Sequence, residues 1–129
     1  MNQINIPKEA AQVLESTGAV FFNPYTGKMG KPTGYSILPY LTDTVNIDGK
    51  RPYEYINELG SMIDDYVLES DKMELGLDNI YVDVDAYESF YAFDIHLVFD
   101  DLEVAKKKAE EWQAEFVLDL SNDDVINIE

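Results

Sequence analysis

Two segments constrain this chain more than any other feature. "IYVDVDA" (80–86) and "YAFDIHLV" (91–98) alternate apolar and polar residues at period two, and four residues, Tyr87 to Phe90, separate them. Period-two alternation broken by a short loop reads as an antiparallel β-hairpin with one buried face. The expected register sets Val84 against Phe93, with Val82 and Ile95 on the same inward face. The outward face then carries Tyr81, Asp83, Asp85, Asp94 and His96, with Asp83 directly across from Asp94. Like charges opposed on a sheet are destabilising. An aspartate ladder of this kind is either a solvated face or a binding surface.

The rest of the chain supplies partners for that hairpin. Pro7 opens a short helix, "PKEAAQVLES", which Gly18 can end. "AVFF" reads as a buried strand. "NPYTGKMGKPTG" is punctuated by Pro and Gly and suits a long hairpin connection to a second strand, "YSILPYL", whose Pro39 belongs at an edge or a strand end. From Pro52, residues Tyr53, Ile56, Leu59, Ile63, Tyr66 and Val67 recur at helical spacing as far as about Glu69. The opposite stripe holds Glu54, Glu58, Ser61, Asp65 and Glu69. "DDLEVAKKKAEEW" is a third helix, with Asp100 placed to cap it and an inner stripe of Val104, Ala105, Lys108, Ala109 and Trp112. "AEFVLDL" and "VINIE" close the chain as strands around "SNDD". The expected fold is a single α+β domain over residues 1–129, a largely antiparallel sheet with about three helices packed on it.

Charge narrows the function classes. Among 129 residues, 26 are acidic and 9 basic, for a net charge of −17. Residues 1–40 are nearly neutral, whereas 54–103 hold 15 acidic residues and a single basic one, Lys72. Such a surface is repelled by nucleic acid and by anionic membranes, and is attracted to basic protein surfaces. Grooves that hold DNA or RNA are a common kind of basic surface. The chain has no cysteine, which removes disulfides, thiolate metal sites and cysteine nucleophiles. The N-terminal residues do not read as a secretory signal, and no apolar run is long enough to span a bilayer. The expected location is cytoplasmic.

Catalytic signatures are lacking. His96 is the only histidine, so any hydrolytic triad would have to run through it, and no Gly-x-Ser-x-Gly is present. Gly27, Gly30 and Gly34 lie in a turn with no helix directly after, unlike a phosphate loop. Lys106 to Lys108 sit among Glu103, Glu110 and Glu111 and read as helical ion pairs. Asp83, Asp85, Asp94 and His96 are hard-metal ligand types on one strand face, but no known spacing organises them. No cofactor, metal or catalytic residue is assigned. Tyrosines bordering the acidic hairpin, at 81, 87 and 91, have the composition of an interface or of a core edge.

"TGYSILPY", "IYVDVDAY" and "HLVFDDLEVAKKKAEEWQAEFVLDL" together resemble a pattern in small phage and mobile-element proteins. There a Gly-Tyr strand precedes an aspartate-bearing strand, a Glu/Ala-rich helix and a strand ending in "FDL" or "LDL". The likeness would span about residues 33–128 and transfers no functional residue. It implies a phage or plasmid accessory protein of the kind that opposes host defence. With the charge, it leads to an expected function. The protein would inhibit a nucleic-acid-binding host defence factor, of CRISPR or restriction type, by occupying its basic groove as a nucleic-acid mimic. Glu54, Glu58, Asp65, Glu69, Asp83, Asp85 and Asp94 would carry the binding. The alternatives are an acidic regulatory or structural module of a mobile element, and a carboxylate-metal-dependent enzyme. No intrinsic catalysis is expected. Metal-dependent hydrolysis of nucleic acid or nucleotides, lost on Asp83→Asn, would refute that.

Overall fold

The computed structural model describes residues 4–38, 43–46, 52–68, 76–88 and 90–128. Helix α1 (Glu9–Thr17) ends on Gly18, whose left-handed φ of 82° lets its N–H reach back to the Leu14 carbonyl. Seven strands follow in one sheet: β1 (Ala19–Phe22), β2 (Tyr35–Ile37), β3 (Asp43–Asn46), β4 (Ile80–Ala86), β5 (Phe90–Phe99), β6 (Phe116–Asp119) and β7 (Asp124–Asn127). Helix α2 (Pro52–Leu68) lies between β3 and β4, and α3 (Leu102–Glu111) between β5 and β6. The spatial order is β1-β4-β5-β2-β6-β7, with β3 also pairing β5, and every pairing is antiparallel. This is the α+β domain expected, with its sheet wholly antiparallel among the described strands.

The hairpin has the expected register: Asp83 faces Asp94 and Val84 faces Phe93. Val82, Val84, Phe93 and Ile95 are all buried, in one cluster with Ala10 and Leu14 of α1, Tyr55, Ile56, Leu59 and Ile63 of α2, and Ala105 and Ala109 of α3. The three helices therefore cover one face of the sheet. Tyr55 was not on the expected inner stripe, yet it is fully buried and stacks on Tyr91 at 4.3 Å between ring centroids. The side chains of Tyr53, Tyr66 and Val67 lie outside those described.

Four expectations need correction. "NPYTGKMGKPTG" does not join a hairpin, because β4 and β5 lie between β1 and β2. The segment instead folds back on β1: Gly30 N–H donates to the Phe21 carbonyl, and Met29 bridges Phe22. Its first turn is built on Asn23, a fully buried residue. The Asn23 carboxamide oxygen accepts from the N–H groups of Tyr25 and Thr26, and its nitrogen donates to the Asp78 carbonyl. Second, β1 is a buried strand only in part. Val20 and Phe22 are buried, Phe21 is half-buried and Ala19 is exposed. Third, Asp101 rather than Asp100 caps α3, accepting from Glu103 N–H at 2.8 Å. Fourth, Val104 is exposed, so α3 buries a narrower stripe of Ala105 and Ala109 flanked by Trp112. Strand β3 was not anticipated, and Pro39 lies outside the described residues.

Gly34 leads into β2 with a φ of 110°, and a Cβ there would lie 2.6 Å from the Phe99 carbonyl oxygen. Its own carbonyl accepts from Leu120 N–H, so the position is held between β5 and β6. Backbone strain and a backbone clash add at this point. Gly34→Ala is expected to destabilise the fold by about 1–3 kcal/mol, read as a lowered urea midpoint. An unchanged midpoint would show that the β2–β5 junction can relax.

Candidate functional site

Strand alternation sends every second side chain to the face the helices leave open. On β4 these are Tyr81, Asp83 and Asp85, and on β5 they are Ala92, Asp94, His96 and Val98. Phe21 from β1, Ser36 from β2 and Leu118 from β6 join them through the strand registers. Tyr81, Val98 and Leu120 form a second, smaller apolar cluster here, with Phe21 and Leu118 against it. Among the described residues no helix contributes a buried side chain to it. The seven strands contain six aspartates and no lysine or arginine.

The polar centre of this face is a string of three side chains from three strands. Ser36 Oγ lies 2.7 Å from His96 Nδ1, and both residues are buried. His96 Nε2 has no hydrogen-bond partner, and Asp83 Oδ2 is 3.9 Å away. A ring nitrogen facing a carboxylate favours the tautomer that carries its proton there, so Nδ1 accepts from the Ser36 hydroxyl. Phe21 packs against the imidazole at 4.8 Å between centroids. The residue types are those of a hydrolytic triad. The geometry is not, because Ser36 has no exposed surface and no substrate carbonyl can approach it. The string is a buried polar connection between β2, β5 and β4.

Charge accumulates beside it. Asp85 is pushed above the ordinary carboxylate pKa, first by partial burial and then by the negative charges of Asp83 and Asp94. Among the described residues no three histidine or carboxylate side chains converge closely enough to hold a metal ion.

The expected binding residues do not form one surface. Asp83, Asp85 and Asp94 come together, half-buried, on the open face. Glu58 and Asp65 are exposed on α2, which packs against the opposite face. Glu54 is half-buried on that same helix, close enough to Tyr91 that it and Glu15 help raise the phenol pKa, after burial itself. Glu69 lies outside the described residues. Ser36 is the site residue missed from the sequence. It lies 60 positions from His96, and no local pattern links them.

Comparison of the chain with known protein families, with curated proteins and with solved structures finds no match.

A folded-state pKa raised above the unfolded one means that ionised Asp85 costs stability at neutral pH. That cost disappears as pH falls through the raised value and is gone below the ordinary value of 3.8. Asp85→Asn is therefore expected to stabilise the protein at pH 7, by about 0.2–1 kcal/mol as for a relieved like-charge pair. The gain should vanish near pH 3. Urea midpoints at the two pH values test this, and a lower midpoint for the variant at pH 7 would contradict it.

Proposed function

We propose that the protein is a non-catalytic inhibitor that occupies the basic nucleic-acid groove of a host defence protein. One observation supports this reading most directly: the aspartates at 83, 85 and 94 share the sheet face opposite the three described helices, and the described strands supply no lysine or arginine. Carboxylates on adjacent strands and on alternate positions of one strand stand about 5–7 Å apart. Each can meet a lysine or arginine that otherwise meets a phosphate. On the same face the buried Ser36–His96 contact ties β2 to β5 beside the aspartates. Glu58 and Asp65 extend the negative charge to the far side of the domain. The groove's owner would be a restriction- or CRISPR-type factor in the cytoplasm of the host cell, in line with the likeness to phage and mobile-element proteins.

Binding driven by these charges should weaken steeply with salt, because exposed charges are screened over roughly 10 Å at 0.1 M. Duplex DNA should compete for the same partner. The open-face pair Asp83→Asn/Asp94→Asn should lose more affinity than the helix pair Glu58→Gln/Asp65→Asn, since Glu58 and Asp65 are exposed and an ionic contact made there is weaker. Affinity for a partner captured from bacterial lysate, measured at two salt concentrations with and without duplex, provides the test. Salt-insensitive binding that DNA leaves untouched would exclude mimicry.

A further inference from the structure

The aspartate ladder of the open face is bounded by aromatic rings. The β4–β5 register continues into the turn, where Tyr87 N–H donates to the Phe90 carbonyl. By strand alternation both side chains project on the same side as Asp85, Asp83 and Asp94. Their rings stack across the strands, with centroids 4.7 Å apart and planes at 23°. Tyr87 is 51% exposed, so much of this stacked pair stands in solvent. At the inner end of the ladder His96 Nε2 is buried, without a partner, and aimed at Asp83 across 3.9 Å. A carboxylate shift of about one ångström would close that gap to a hydrogen bond.

We infer that this face is a guanidinium-binding strip, and that it recognises an extended, arginine-bearing segment of the basic partner. The inference rests on the inhibitor reading above and names the partner's chemistry. Arginine matches both halves of the strip. Its flat cation stacks on an exposed aromatic ring, and its fork of N–H groups meets carboxylates in pairs. Lysine offers a compact, strongly hydrated ammonium that satisfies the carboxylates but stacks poorly. One arginine seats on Tyr87–Phe90 and reaches Asp85. A second, about 7 Å along for a neighbour two residues away in an extended segment, meets Asp83. Docking there draws Asp83 toward His96 and completes the bond that the free protein leaves open.

The test uses the full chain, isotope-labelled for NMR, and two peptides of equal charge, one alternating arginine with serine and one alternating lysine with serine. The arginine peptide is expected to bind about fivefold or more tightly than the lysine peptide. Amide shifts should be confined to β4, β5 and their turn, and the His96 Nε2 proton should move as the bond to Asp83 forms. Tyr87→Ser should remove the arginine preference while leaving the thermal melt unchanged, and residual binding should fall to the lysine level. Equal affinities for the two peptides, or shifts spread over α2 as well, would overturn the arginine strip and leave the inhibitor reading standing on charge alone. Binding of neither peptide at low salt would overturn both.

Discussion

Everything in this domain is phased by β5. Its ten residues pair with β4 along one edge and with β2 and β3 along the other, so the side-chain alternation of one strand is imposed on three neighbours. On the second edge Ile37 meets Leu97 and Asp43 meets Phe93. The same phase passes through β4 to β1, which is why Val20 and Phe22 face the helices while Phe21 faces the histidine.

Magnitudes decide what the aspartates cost this arrangement. Burying Val82, Val84, Phe93 and Ile95 favours the observed register by roughly 1.5–3 kcal/mol for each side chain. Opposing Asp83 and Asp94 costs at most about 1 kcal/mol. The inward face wins by a wide margin, so the outward positions are free to vary without changing the fold. Threonine or lysine at 83 or 94 would suit a half-exposed strand better than a second aspartate. Helix α3 packs on the other side of the sheet, where Lys108 pairs with Glu111 and lies over Trp112. The ladder is a load that the fold tolerates and does not require.

The features legible in the sequence are those with a local period. The register of the hairpin could be read to the residue because Val82, Val84, Phe93 and Ile95 alternate without interruption, although Phe90, expected in the loop, begins β5. The α2 stripe of Ile56, Leu59 and Ile63 and the Gly18 stop of α1 were equally plain. Features that depend on distant pairing were hidden. "DTVN" has too little apolar character to announce β3. "AVFF" reads as a buried strand, and only its pairing with β4 shows that Phe21 belongs to the face opposite the helices. The split of the acidic residues between two sides was also invisible. The α2 stripe and the hairpin face can each be read alone, but which side of the sheet α2 takes is a tertiary fact. Ser36 shows the same limit, since β2 reaches β5 only after the chain has crossed two other strands in space.

Acidic groups on both sides of the sheet are compatible with the proposed nucleic-acid mimicry. Duplex DNA carries phosphates around its whole circumference, about one charge per 1.7 Å of axis. The chain's net charge of −17 matches about 29 Å of duplex. A compact domain of 129 residues is about 36 Å across. The charge per unit length is thus about four-fifths that of the duplex, and the described carboxylates lie on both sides of the sheet. A flat basic surface would use only the sheet face and leave Glu58 and Asp65 in water. A groove that closes around its nucleic acid would meet both sides at once. The distribution of charge therefore favours, within the proposed function, a partner that encloses its nucleic acid over one that only presents a flat basic patch.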